Sequence, residues 1–374
     1  MEIKDRIRGS LIGGAAGDAL GYPVEFMSLN EINNKYGEHG ITEYELSNGK
    51  ALISDDTQMT LFTANGILYG MTRLAVRGIM GPIQDYIYNA YLNWYSIQNG
   101  LEIGEFERVS WLCDVPELSE SRAPGITCMS ALARGKKGSR LKPINNSMGC
   151  GGIMRVAPIG LYNCFSPHNA FTIAGEVAAL THGHRMGYLP AGALAYIINS
   201  IVFDNTDLKT AIRKCVDYTR MNYDSEESRD ICLWMDKAVA LSGSRTDIEN
   251  IKEYEKYDHC GDKGGGWTGA SALYISLYSA VTYEHDFDKA IACAVNHSGD
   301  SDSTGAITGN IVGAINGYDS ISEKWKTDLE IHDVILEIAD DLYKGEPAHP
   351  YAFAEEDFAR SHHLALLPFF FFSF

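Results

Sequence analysis

Apolar residues recur along most of this chain at intervals of three and four. Ile173, Val177 and Leu180 fall on one helical face, Leu194, Ile197, Ile198 and Ile201 on another, and Ile307, Ile311, Ala314 and Ile315 on a third. Alternation of the strand type is scarce. Its best case is ITEYELSNGKALIS (41–54), which predicts a short hairpin with Asn48-Gly49 as its turn. Small residues crowd the helical stretches, as in GGAAGDALG and AGALA, and allow backbones to approach closely. No linker, repeat or composition shift interrupts the pattern. The expected fold is all-α, a single compact multi-helix domain over 1–350 with irregular glycine-rich loops. A C-terminal tail, 351–374, follows; it ends in LALLPFFFFSF and is given no role.

Composition agrees with a well-packed body and narrows the partners. Of 374 residues, 45% are hydrophobic and only 21% charged, enough to bury a sizeable core. The formal net charge of −18 argues against nucleic acid and anionic membrane surfaces, which are bound through basic patches. Eight cysteines include no CxxC pair, so a zinc ribbon or dithiol redox motif is not expected, and scattered thiols suit a reducing cytoplasm. No apolar run reaches the roughly eighteen residues of a membrane span. The N-terminal MEIKDRIRGSLIGG lacks the apolar length of a signal peptide. A soluble, cytoplasmic protein is expected.

Two oxygen-rich stretches carry the chemistry. ALISDDTQMTLF (51–62) and HSGDSDSTGAITG (297–309) each place hydroxyls and two aspartates at the start of a helix-like segment. Either alone reads as a helix N-cap, where a Ser or Asp satisfies free N–H groups and acids meet the positive helix end. One residue suffices for a cap, however, and two such clusters in one domain suggest more. If they meet, Asp55, Asp56, Asp300 and Asp302 share a site, and their repulsion raises their pKa values unless a cation neutralises them. Carboxylate and hydroxyl oxygens suit Mg²⁺, Mn²⁺ or Ca²⁺ better than zinc. Two ions about 3.5–4 Å apart are the natural occupants.

Other motifs are ambiguous on their residues alone. Glu25, after an expected helix end at Gly21 and Pro23, reads as a solvated loop acid, and Asp18 as a structural hydrogen-bonding residue. Gly149, Gly151 and Gly152 form either a turn or a loop whose amides meet an anion. Arg155 either aids that loop or forms a structural ion pair. His182 and His184 lack a third soft ligand nearby for zinc. KGGGWTGAS (263–271), with Trp267, reads as a flexible loop.

With LIGGAAGDALGYPVEF (11–26), RAPGITCMSAL (122–132), MGCGGIMRVAPIGL (148–161) and LTHGHRMGYLPAGALA (180–195) added in order, the chain resembles the ADP-ribosylglycohydrolases of the dinitrogenase-reductase-activating and ADP-ribosylarginine hydrolase types. The resemblance extends from about residue 5 to 345. It implies an all-α orthogonal bundle with a binuclear site for two Mg²⁺, or Mn²⁺, held by Ser54, Asp55, Asp56, Asp300, Asp302 and Ser303. It implies Glu25 over the substrate ribose, the Gly149–Gly152 loop along a diphosphate, and His182 at the distal ribose or diphosphate. It makes Trp267 a contact for adenosine or the target peptide. The implied function is Mg²⁺-dependent release of ADP-ribose from modified protein side chains, with Asp55, Asp56 or Glu25 as base. Arginine is the favoured acceptor, since guanidine can depart neutral whereas serine must avoid leaving as an alkoxide. Alternatives are serine-linked or ester-linked ADP-ribose. Another is an immunity protein that binds and occludes an ADP-ribosyltransferase toxin, although a pure binder has no need of six metal ligands.

Overall fold

A computed structural model of the chain describes residues 1–104, 108–242, 251 and 265–345. Fourteen α-helices occur among them. The first seven are α1 (Ile3–Gly21), α2 (Leu29–Tyr36), α3 (Asp55–Arg77), α4 (Ile83–Gln98), α5 (Ile126–Leu132), α6 (Ala157–Gly160) and α7 (Pro167–Ala179). There follow α8 (Arg185–Val202), α9 (Leu208–Asn222), α10 (Glu226–Leu241), α11 (Gly269–Thr282), α12 (Phe287–Val295), α13 (Ser301–Asn316) and α14 (His332–Lys344). The described residues form no strand, only isolated bridges, so the helical periodicity predicted the class correctly. No helix among them is long and apolar enough to cross a membrane. Their apolar faces join in one core around fully buried Trp94, Trp325, Tyr91, Tyr274, Tyr278 and Phe62.

The pair that positions the site comes from opposite ends of the sequence. Gly9, Gly13, Gly17 and Gly21 recur every fourth residue on α1, and Gly305, Gly309 and Gly313 do so on α13. The helices run antiparallel with these stripes in contact. A Cβ on Gly17 would lie 2.0 Å from the Gly305 carbonyl oxygen, one on Gly309 1.9 Å from that of Gly13, and one on Gly313 2.0 Å from that of Gly9. Only glycine permits this approach. Register is pinned by two bonds: Ser10 Oγ donates to the Asn310 carbonyl (2.9 Å), and Asn310 Nδ2 to that of Ser10 (2.8 Å). At the far end, Gly21 abuts Ser301. The C-terminal end of α1, with Glu25 beyond it, is therefore held against the N-terminus of α13.

The third element at this point is α3. The buried Asp18 carboxylate, on α1, accepts from the amides of Ser54 (3.0 Å) and Thr57 (3.1 Å) and from the Thr57 hydroxyl. Asp18 is thus the structural residue expected, and what it supports is the start of α3. Two helix N-termini converge on the end of α1.

The hairpin expected at 41–54 does not form. Its turn does: Asn48 (φ 51°) and Gly49 (φ 81°) take left-handed conformations between bridged Ser47 and Lys50. The returning arm finds a different partner, because Ala51 donates to the Asp328 carbonyl (2.8 Å) and accepts from the Glu330 amide (3.0 Å). The expected boundary at 350 and the phenylalanine-rich tail lie outside the described residues.

Candidate active site

The two acidic clusters meet. Ser303 Oγ on α13 donates to Asp56 Oδ1 on α3 at 2.8 Å, joining positions 247 residues apart. Ser54 caps α3, its Oγ accepting from the Asp56 amide (3.2 Å) and donating to Asp56 Oδ2 (3.3 Å). The cap and the cluster are therefore one construction. Asp55 Oδ2 accepts from the Gly125 amide (3.0 Å), and Asp302 Oδ1 from the Ser303 amide (2.9 Å). Asp300 Oδ2 accepts from the Cys150 thiol at 2.6 Å. Asp55, Asp56, Asp300 and Asp302 are all buried, as is Glu25.

Burial raises the pKa of each of these acids, and the charge of Asp302 adds to the rise for Glu25, Asp55, Asp56 and Asp300. Such a group is stable as carboxylates only with a counter-cation. Ligand oxygens of Glu25, Asp300 and Asp302 lie within 4.8 Å of one another, close enough to share an ion. Glu25 is 7% exposed, and its Oε2 has no hydrogen-bond partner among the described residues. The Cys150 thiol is held protonated by burial and by Asp300, so it donates a hydrogen bond and leaves the donor set to oxygen. A hard divalent cation fits these residues.

A cavity of about 480 Å³ opens over the cluster. Glu25, Asp55, Asp56, Asp300, Asp302 and Ser303 line it together with Gly149, Gly151, His182 and Trp267, and among the described residues no Lys or Arg does so. Sequence-predicted residues from six separate segments thus share one space. Gly152 and Ser54 are buried beside it without lining it. The exposed Phe26 ring stacks on Trp267, with centroids 5.9 Å apart and planes 27° apart.

The glycine loop serves the protein as well as any ligand. The Gly149 amide donates to Ser147 Oγ (3.2 Å) and that of Cys150 to the Trp267 carbonyl (3.1 Å), so neither is free for an anion. A Cβ on Gly151 would come within 2.9 Å of His182 Cε1, so the loop also makes room for the imidazole. Burial, then the charge of Arg155, pushes the His182 pKa down to about 3, which keeps the ring neutral. His184 is a helix cap, its Nδ1 accepting from the Met186 amide at the start of α8.

Arg155 has neither of the roles expected for it. It is fully buried, lines no part of the cavity and has no ion-pair partner among the described residues. Helical spacing cannot reveal that its guanidinium points into the core. Sequence reading also passed over Gly125, Cys150 and Phe26, although all three sit inside motifs already singled out. The signal for Cys150 was its place in the run 149–152, where it is the one residue that is not glycine.

A family model described as ADP-ribosylglycohydrolase matches residues 1–351. An ADP-ribosyl-(dinitrogen reductase) glycohydrolase of Rhodospirillum rubrum is 26% identical over 340 residues, covering 88% of this chain and 92% of its own. ADP-ribosylarginine hydrolase Tri1 of Serratia proteamaculans is 24% identical, covering 96% and 82%. A protein of Archaeoglobus fulgidus without a described activity is 28% identical, covering 91% and 97%. Among solved structures, a chain described as an ADP-ribosylglycohydrolase-related protein complex aligns with TM-score 0.55 at 20% identity, over 92% of this chain and 99% of that one, which shows a shared fold.

Proposed function

The chain belongs to the ADP-ribosylglycohydrolase family, and we propose that its site hydrolyses the glycosidic bond between ADP-ribose and an arginine side chain of a modified protein. The observation that carries this reading is the set of five buried carboxylates flooring a cavity that, among the described residues, no Lys or Arg lines. An anionic site whose described lining carries no Lys or Arg suits a substrate whose modified side chain is a guanidinium, and the Tri1 relative is named for arginine. Ser54, Asp55, Asp56, Asp300, Asp302 and Ser303 would hold two Mg²⁺, for which Mn²⁺ could substitute. When bound, the ions supply positive charge that neutralises these acids, orients ribose hydroxyls and makes water more acidic.

The chain's own groups do the rest. Glu25, whose Oε2 is unpartnered among the described residues, takes the proton of the attacking water. Water oxygen bonds to C1″, the C1″–nitrogen bond breaks, and its electron pair leaves with guanidine, which is protonated in water at neutral pH. Asp55 and Asp56, fixed by Gly125 and Ser303, set the floor against which the ribose lies. Gly149, Gly151 and His182 face the diphosphate and distal ribose, with Gly152 buried behind them, and Trp267 with Phe26 contacts the adenosine or the target peptide.

The test is incubation of the purified protein with arginine- and serine-ADP-ribosylated proteins, with Mg²⁺ or with EDTA, following free ADP-ribose. Release from the arginine-linked substrate in Mg²⁺ alone is expected. Equal or faster release from serine overturns the arginine assignment, and no release from either overturns the activity.

A further inference from the structure

Arg155 is a buried charge with no acid paired to it among the described residues. Its guanidinium lies over the Tyr91 ring, 4.4 Å from the centroid, and faces the sulfurs of Met59 and Cys128 at 3.4 Å each. Its shortest hydrogen bond, 2.6 Å, goes to Thr181 Oγ1. A guanidinium nitrogen only donates, so Thr181 accepts there. Thr181 is itself fully buried, and its hydroxyl proton needs an acceptor. His182 Nδ1 lies 2.8 Å from the same oxygen.

We propose that Arg155 and Thr181 are positioning residues that lock His182 in the tautomer with its proton on Nε2, presenting a fixed N–H donor to an oxygen of the ADP-ribosyl group. A neutral imidazole carries one N–H, so if Nδ1 accepts from Thr181 the proton is on Nε2. The charge of Arg155 favours this order, because the Thr181 lone pair then faces the cation and its O–H points away, toward Nδ1. Arg155 and burial also keep the ring neutral, so that Nδ1 remains an acceptor. Nε2 lies 3.2 Å from where a Cβ would stand on Gly149 and on Gly151. Both neighbours being glycine, neither puts a side chain over the donor. The described residues put no Lys or Arg into the cavity, and this neutral N–H selects an acceptor without adding charge beside the acids. The lock itself stands on the geometry; the identity of the acceptor rests on the ADP-ribosyl reading above.

Nitrogen-15 NMR of full-length protein labelled at histidine, with His182→Ala assigning the resonance, reads the tautomer directly. Calorimetry with ADP-ribose in Mg²⁺ reads the donor. In the wild type, Nε2 is expected at a protonated and Nδ1 at an unprotonated shift. Thr181→Val keeps the shape and removes the hydroxyl, so mixed or Nδ1–H tautomers are expected, with ADP-ribose binding about three- to ten-fold weaker, the worth of one neutral hydrogen bond. Thr181→Ser restores both. Arg155→Met is expected to loosen the tautomer likewise; if it does not fold, Thr181→Val decides alone. A wild type with the proton on Nδ1, or a Thr181→Val protein that keeps the Nε2–H form, overturns the lock. A changed tautomer with unchanged ADP-ribose affinity leaves the lock and overturns the placing of ADP-ribose at His182.

Discussion

Replacing Gly309 by alanine tests whether the contact between α1 and α13 sets the geometry of the acids. The new Cβ would start 1.9 Å from the Gly13 carbonyl oxygen, whereas ordinary contact begins at 3.4 Å, so the backbones must part by about 1.5 Å at that point. A long side chain could swing aside; a carbonyl inside a helix cannot. Overpacking of this kind costs about 1–3 kcal/mol, and the upper end is expected because two main chains must move. Asp300 and Asp302 lie about two turns along the same helix from the wedge. Even about 1 Å of displacement there costs on the order of 10²-fold in rate. Urea unfolding should therefore show a loss of about 2–3 kcal/mol, and release of ADP-ribose should slow about a hundred-fold. Gly175→Ala on α7 is the control, since its Cβ would meet nothing nearer than the Tyr188 carbonyl oxygen at 3.6 Å. There alanine should be neutral or stabilising by up to about 1 kcal/mol. Wild-type stability and rate in Gly309→Ala would refute the reasoning. Equal losses in both variants would assign the effect to helix glycine in general.

Four further outcomes are expected. Asp302→Asn, or chelation of divalent metal, lowers turnover by at least about 10²-fold, and full activity in EDTA would remove the metal from the reaction. In metal-free protein the raised carboxyl pKa values make stability fall as pH climbs above about 4, because the unfolded acids release protons that the folded ones retain. Melting temperatures with and without Mg²⁺ should diverge over that range, and a pH-independent gap between about 5 and 8 counts against the cluster as the cation site. Glu25→Gln lowers kcat by about 10²–10⁴-fold with ADP-ribose binding retained, whereas wild-type turnover would make Glu25 a bystander. Asp18→Ala strands the Ser54 and Thr57 donors and costs about 2–5 kcal/mol in urea unfolding; less than about 1 kcal/mol would mean that α3 starts correctly without it.

The acids were legible because their chemistry is local. Ser54-Asp55-Asp56 and Asp300-Ser301-Asp302-Ser303 exceed the needs of a cap within a few residues, and that excess is visible in a string. The helical periodicity likewise reports which residues face a core. Direction and partner are not local. Nothing around Arg155 says that its guanidinium turns inward to Tyr91 and Thr181 instead of outward to an acid or a phosphate. The arm at 51 paired with 328–330 because that segment passes beside it, a fact set by the rest of the fold. Glu25 read as an ordinary loop acid, yet the pairing of α1 with α13 buries it beside Asp300 and Asp302. The four-residue glycine period was in the sequence on both helices, and small-residue crowding was noted without the register it encodes.

That register also governs when the site can come into being. Ser10 and Asn310, which clasp the two helices, are 300 positions apart. At about 5–20 residues per second, α1 waits on the order of 15–60 s in a growing chain before α13 has even been made. Through that interval Asp55 and Asp56 exist without the acids that complete the cluster, and the glycine stripe of α1 has no mate. A cation can therefore reward folding only at its last stage, closing a pairing of long sequence separation that is slow to form. Chains that stop short of residue 300 are left with an open stripe and half a binding site, which makes them substrates for chaperones and proteases instead of weak enzymes.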